Sequence, residues 1–178
     1  MAKHITITAE YVRSRIDYDP ETGILTWKAR PVRNPIDKMW NTRFAGTTIR
    51  HTQTSGYIQF KLDGKNYLGQ HIAWVIAHGV WPAHLVDHEN RIRDDNRLSN
   101  LRDATRSQNN SNTKPYSNNT LGFRGAWQNG KRWAVRISSQ GKRIYCGTYD
   151  SKEDAARAYD VIAKQVHGEF ATLNFPLP

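Results

Sequence analysis

The sequence predicts an α+β chain in two parts, and three observations carry that expectation. A compact apolar segment, HIAWVIAH at 71–78, meets Gly79 where a helix would end. Before it, GYIQFKL and KNYLGQ flank Asp63-Gly64, a pair that suits the type I′ turn of a β-hairpin. In 122–178, three strand candidates precede one segment whose apolar residues recur at helical period.

The elements follow in order. AEYVRSRI at 9–16 forms one short helix, DPETG at 19–23 has turn chemistry, and ILTWK at 24–28 reads as a strand. Residues 29–52, rich in Arg, Asn, Pro and Thr, receive no element. The hairpin and the 71–78 helix come next, followed by the polar stretch VDHENRIRDDNRLSN at 86–100. Thr105-x-x-Gln108 has the form of a capping box, so a helix starts there. NNSNTKPYSNN at 109–119 reads as a helix end running into a linker. The expected parts are therefore 1–113, a linker at 114–121, and 122–178.

In the last part, GFRGAWQ, RWAVRIS and KRIYCGTY are separated by tight turns containing Gly130 and Gly141. A helix then runs from Ser151-x-x-Asp154 to Gly168. Its stripe is Ala155, Ala156, Tyr159, Ile162, Ala163 and Val166. A three-stranded sheet packed on that stripe is the economical solution, at a size near the lower limit for folding alone.

Charge narrows the partner. The chain has 178 residues and a formal net charge of +10, which points to a polyanion, nucleic acid first. No run of eighteen apolar residues spans a bilayer, and MAKHITITAEYV lacks the apolar core of a signal peptide. A soluble, intracellular (cytoplasmic) protein with no membrane partner is expected. A single cysteine, Cys146, excludes an intrachain disulfide and a zinc site built on paired thiolates. Residues 114–149 hold seven Lys/Arg and no acid, whereas all five acids of 114–178 lie at or beyond Asp150. The sheet is therefore basic and the helix side is not, as a nucleic-acid face requires.

Chemistry concentrates in 86–100. The neutral imidazole of His88 can take a proton from water near neutral pH. The Asp87 carboxylate is a hard ligand suited to Mg²⁺ or Mn²⁺. Together they form a minimal phosphodiesterase kit, although most Asp-His pairs are structural. Asn100 follows His88 by twelve residues and Asn109 by twenty-one. If 84–88 and 97–101 are short strands and 106–112 a helix, three elements converge. Asp87 and His88 then share a site only where the strand is distorted or ends. His88-Glu89 is not followed by a second histidine at position 92, so there is no zinc-protease pair. Asp94, Asp95 and Asn96 are adjacent, which excludes an EF-hand loop.

The stretch VDHENRIRDDNRLSNLRDATRSQNNSN resembles the motif of HNH endonucleases of the phage homing type: Asp-His, Asp-Asn-Arg, Asn-Leu-Arg and Thr-x-x-x-Asn. YDPETGILTW, GYIQFKLDGKNY, the His71 segment and Trp81-Pro82 resemble that family's lead-in. The resemblance implies a ββα-metal fold over 84–112 with one divalent ion, Mg²⁺ or Mn²⁺ and not zinc. By position it makes His88 the general base, Asp87 and Asn109 the metal ligands, and Asn100 the residue that holds the histidine. His71 is followed by Ile72 where the family often has Arg, and it reads as a structural residue. Arg93 and Arg97 are either phosphate contacts or parts of a solvated basic loop.

Residues 122–175 resemble the plant Apetala/ethylene-response-factor DNA-binding domain through GFRGAW, WAVRI, KRIYCGTY, DAARAYD and LNFP. By position Arg124, Arg136, Arg143 and Tyr145 become DNA contacts, with phosphate favoured over base. Trp127 stands where the plant domains usually carry arginine, and either stacks on a sugar or packs. Strand alternation puts Trp133, Val135, Ile137, Ile144 and Cys146 on the helix side. It leaves Arg132, Ala134, Arg136, Ser138, Arg143, Tyr145 and Tyr149 on an open face that can enter a DNA groove. Asn174 pins the C-terminal tail.

The expected function is a site-specific, homing-type endonuclease, acting as a monomer on double-stranded DNA and nicking it, in a phage-infected bacterial host. A non-catalytic DNA-binding regulator is the alternative. An RNA-binding protein is the third, set back by the absence of an RNP-like strand.

Overall fold

The structure, a computed structural model, describes residues 7–50, 53–113, 119, 122–139 and 141–175. It is mixed α and β, and its compact units divide between Asp103 and Ala104. The linker expected at 114–121 lies, apart from Asn119, outside the described residues.

In the first unit, helix α1 (Ala9–Arg15) is capped by the Thr8 hydroxyl, which accepts from the Tyr11 N–H at 3.2 Å. Strand β1 (Ile16–Tyr18) pairs antiparallel with β2 (Leu25–Trp27) around the 19–23 turn. Helix α2 (Pro35–Phe44) occupies the region that received no element; Asn34 caps it and Pro35 opens it. Strands β3 (Gln59–Leu62) and β4 (Lys65–Leu68) form the expected hairpin. Asp63 and Gly64 both have positive φ, 48° and 77°, as a type I′ turn demands. Helix α3 (Gly69–His78) ends on Gly79 in the left-handed region.

Val12, Ile16, Leu25, Leu62, Ile72 and Val75 form the main core of this unit. A fully buried aliphatic side chain of this kind contributes about 1.5–3 kcal/mol. Ala73, on another side of α3, packs with Val86 and Leu101. Those two residues belong to β5 (Leu85–His88) and β6 (Leu101–Ala104), which form a two-stranded sheet. The second strand begins four residues later than the expected 97, because Leu98–Asn100 is a 3₁₀ turn held by Asn100 N–H on the Arg97 carbonyl.

In the second unit, α4 (Arg106–Ser111) carries the complete capping box of Thr105 and Gln108. It falls on this side of the division, ten residues before the boundary expected at 113. Two contacts explain why: Arg124 Nη2 donates to the Asn110 carbonyl at 3.1 Å, and Ser111 Oγ lies 3.2 Å from His167 Nδ1. Strands β7 (Ala126–Asn129), β8 (Arg132–Ser139) and β9 (Lys142–Tyr149) form an antiparallel sheet in that order. Helix α5 (Lys152–His167) starts on the Ser151 cap and packs Ala155, Tyr159 and Ala163 against Ala126, Val135 and Ile137. Gly125, at φ 71°, is obligatory, since a Cβ there would meet the Tyr159 ring at 2.1 Å. Val166, expected in the stripe, is 36% exposed.

Candidate active site and basic sheet face

Hydrophobic anchoring brings Asp87 and His88 to their place. Val86 is pinned under α3, and β5 stops at His88, where the Arg91 N–H turns back onto the His88 carbonyl at 2.9 Å. Asp87 and His88 are consecutive and both buried, which an uninterrupted one-sided strand would not allow. The condition set by the sequence, that the strand end there, holds.

His88 Nε2 lies 3.0 Å from Asn96 Oδ1, and Asn96 is 0% exposed. With that oxygen as acceptor, Nε2 carries the ring proton and Nδ1 keeps the lone pair. Burial pushes the imidazole below its ordinary pKa, against the pull of Asn96, Asp87, Asp95 and Asp94. His88 is thus neutral at neutral pH. His71, in the first turn of α3, is pushed the same way by burial and then by the charge of His88.

Asn96 is the middle residue of the motif's Asp-Asn-Arg, but it was given no role of its own. Its position depends on the lead-in: Tyr18 Oη donates to the Asn96 carbonyl at 2.8 Å, and Leu98 N–H to the Pro20 carbonyl at 2.9 Å. Burial, then Asp19 and Asp95, push Tyr18 up to about 12, so its hydroxyl stays a donor. Gly23, at φ 74°, lies against the same loop; a Cβ there would meet Arg97 N at 2.5 Å. The cues in the sequence were Asp-Asn-Arg in the motif and the turn chemistry of DPETG, and neither says what the turn touches.

Asn100 works on the loop. Its Oδ1 accepts from the Asn90 N–H at 2.9 Å, and its Nδ2 donates to the Asp95 carbonyl at 2.7 Å. The contact to the imidazole, expected from Asn100, comes from Asn96, four residues earlier.

Arg97 Nε and Nη2 grip Asp95 at 2.8 and 2.6 Å, and this pairing holds the Asp95 carboxyl down at about 2. Arg93 donates to the Ser55 carbonyl at 2.6 Å and lies over the Tyr57 ring. Both arginines, read from the sequence as either phosphate contacts or parts of a solvated loop, brace this loop while remaining exposed.

Asp87 Oδ2 accepts from Arg102 Nε and Nη2, each at 3.0 Å. A carboxylate has about four lone-pair directions, so it can accept a cation beside a guanidinium. Among the described residues no group of three or more His, Cys, Asp or Glu side chains is placed to hold a metal. A divalent ion here would have Asp87 as its carboxylate, with amide, water and phosphate oxygens completing the shell. That donor set suits Mg²⁺, which keeps waters and shares substrate phosphates. Asn109 lies half-buried in α4.

The second unit presents a basic sheet. Arg136 stands opposite Tyr145, and Ser138 opposite Arg143, so these side chains share a face. Trp127, paired with Ala134, lies on the same face, and the Arg136 guanidinium sits 5.1 Å from its ring. Tyr145 is 60% exposed.

One placement corrects the expected alternation. Tyr149 packs on the core and not on the open face. The cause is a bulge: Arg136 pairs with Tyr145 and Ala134 with Thr148, so Cys146 and Gly147 together oppose Val135. Ile144 stands opposite the core residue Ile137, on the helix side as expected, yet remains 45% exposed. Arg124, an expected DNA contact, directs its guanidinium to the Asn110 and Thr113 carbonyls at the end of α4. Asn174 does pin the tail: its Oδ1 accepts from the Arg124 N–H and its own N–H donates to Asp160.

Comparison with known proteins gives two family matches. Residues 67–111 match the HNH endonuclease family, and residues 108–169 match the AP2 domain. The resemblances read from the motifs therefore stand. Ethylene-responsive transcription factor 3 of Nicotiana tabacum is 51% identical over 49 residues, covering 26% of this chain and 22% of that protein. Dehydration-responsive element-binding protein 2A of Arabidopsis thaliana is 42% identical over 62 residues, 33% of this chain and 18% of that protein. The chain thus spans about a fifth of the length of these curated relatives. A solved structure of the HNH homing endonuclease I-HmuI, described for DNA binding and cleavage, has a TM-score of 0.37 and 20% identity, covering 86% of this chain and 85% of that one. Among the described residues no helix is long and apolar enough to cross a membrane.

Proposed function

We propose that this protein is a metal-dependent, site-specific endonuclease of the homing type that binds double-stranded DNA through its basic sheet and cuts it at Asp87 and His88. The observation that carries this is the neutral, buried His88 with Nε2 on Asn96 and a carboxylate next to it. The HNH match over 67–111 and the AP2 match over 108–169 support both halves.

His88 Nδ1 takes a proton from water, and the resulting hydroxide attacks phosphorus in line. The phosphorus–O3′ bond breaks and the leaving oxygen takes a proton from solvent water, leaving a 5′-phosphate and a 3′-hydroxyl. Asn96 keeps the accepting nitrogen unprotonated, and Asn100 fixes the loop that carries Asn96. A divalent ion, Mg²⁺ or Mn²⁺, would be held by Asp87, with Asn109 as the second protein ligand that the motif implies. When bound, that ion offsets charge on the phosphate and the leaving oxygen. One site per chain makes a nick by a monomer the basic event. Arg136, Arg143, Tyr145 and Trp127 contact the duplex, mostly at phosphates.

One observation favours a second reading, a DNA-binding regulator that does not cut: Arg102 occupies Asp87 Oδ2 with two nitrogens at 3.0 Å. Supercoiled DNA incubated with Mg²⁺, with EDTA, and with His88→Ala separates the two. Metal-dependent nicking lost in the variant supports the nuclease. Intact binding with no nicking on DNA carrying the target site supports the regulator.

A further inference from the structure

We infer that α2 is a separate DNA-contacting surface, distinct from the active site and the basic sheet. The inference rests on the DNA-binding half of the proposal above. Helix α2 contributes no buried residue to the fold. It is nonetheless fastened along one side. Trp40 meets Trp27 edge-on at 5.5 Å and Phe44 at 5.3 Å, and the Arg30 guanidinium lies 3.7 Å over the Trp40 ring. Asn41 bonds both the N–H and the carbonyl of Arg30 at 2.8 Å. A helix held this firmly that buries nothing is presented to something.

The exposed side chains say what. At 3.6 residues per turn, Ile36 is about 40°, Arg43 about 60°, Met39 about 100° and Lys38 about 160° round from Trp40, so they run as one band from beside it to the opposite side. Ile36 is 75% exposed, Met39 71%, and Val32 just before the helix 61%. Such neighbouring apolar side chains mark a contact surface. Residues 28–50 hold six basic side chains (Lys28, Arg30, Arg33, Lys38, Arg43 and Arg50) against one acid, Asp37. That acid is used locally, accepting from the Arg33 N–H at 3.0 Å. Lys28 pairs with Asp17 at 3.7 Å and Arg30 stacks on Trp40, and the basic excess that includes Arg33, Lys38 and Arg43 favours an acidic partner; apolar side chains within such a surface match a duplex whose minor groove accepts Ile and Met against its base steps. Lys38 and Arg43 flank them at phosphate positions.

Binding of the full-length chain to a random-sequence duplex in EDTA, across a salt series, tests this without cleavage. Lys38→Gln/Arg43→Gln should lower the slope of log K against log salt by about two, one per lost phosphate contact. Lys61→Gln/Lys65→Gln, an equal charge loss on the hairpin, should leave the slope near wild type. Ile36→Ser/Met39→Ser should weaken binding about tenfold with the slope unchanged, as loss of apolar contact without loss of charge requires. Circular dichroism should be unaltered, because α2 fills no core. If the two charge pairs behave alike, or the serine pair binds as wild type, the inference is overturned while the endonuclease proposal stands. If the serine pair instead dissociates an oligomer, α2 is a contact between copies. If the wild-type chain binds no duplex at all, both fall together.

Discussion

The two units solve opposite problems. The C-terminal unit is a surface: its function lies in which residues alternate outward from a sheet, and its interior, Ala126, Val135, Ile137, Ala155 and Tyr159, is plain apolar packing. The N-terminal unit is a pocket. The groups proposed to act there, Asp87, His88, Asn96 and Asn100, are buried and polar, and each must be held by a partner brought from elsewhere in the chain. A surface tolerates loss of one contact in proportion. A buried polar network does not, because a group left unpaired costs more than the bond it made.

Substitutions should therefore separate the units sharply. The largest effect is expected at His88. Removing a general base costs roughly 10²–10⁴-fold, so His88→Ala should lose about a thousandfold in nicking rate while duplex affinity stays within twofold. Equal losses of both would mean that the variant is misfolded or that the pocket also binds.

Next comes the residue behind it. Asn96→Leu should cost about 10–100-fold in rate, the size found when a partner orienting a functional histidine is removed. Asn96→Asp, which keeps the acceptor, should recover most of that. The ¹⁵N shifts of the His88 ring should show the proton on Nε2 in wild type and lose that preference in the leucine variant. An unchanged ring spectrum would break the assignment even if activity fell.

The sheet should respond more mildly. Arg136→Ala and Arg143→Ala should each weaken duplex binding about tenfold, lower the salt slope by about one, and leave the single-turnover rate of bound DNA unchanged. A larger loss at Arg136 than at Arg143 would point to the stacking on Trp127 as part of the contact.

The smallest effect is on stability. His71 and His88 are both held below their ordinary value by burial, so near pH 6 the unfolded chain binds more protons than the folded one. The resulting stability is fully present above about pH 6.5 and is lost as pH falls below it, through the depressed folded values. Urea midpoints at pH 5, 6 and 7 should rise with pH, and His71→Gln should flatten the rise. A midpoint independent of pH would show that burial in the folded state is incomplete.

The amino-acid order alone determined everything that depends on neighbours within a few residues. The Asp63-Gly64 turn, the Thr105–Gln108 capping box, the Ser151 cap and, apart from Val166, the α5 stripe are local, and each appears where it was expected. The Asp-His pair was legible for the same reason, since a short motif carries its own chemistry. Tertiary structure decided what depends on distant approach. Asn96 reaches His88 only because Tyr18, Pro20 and Gly23, more than seventy residues earlier, pack against its loop. Arg102 reaches Asp87 only because Val86 and Leu101 fix the pairing of β5 with β6. Helix α2 has Ile36, Met39, Trp40 and Phe44 at helical spacing, but the Arg, Asn, Pro and Thr around them hid that short stripe, and the helix is fastened by one tryptophan, one amide and one stacked arginine and not by a buried face. A single bulge at Cys146-Gly147 reversed the side on which Tyr149 lies. Periodicity is a local property of the chain; which groups meet is set by the core that closes the chain on itself, and no window of sequence contains that.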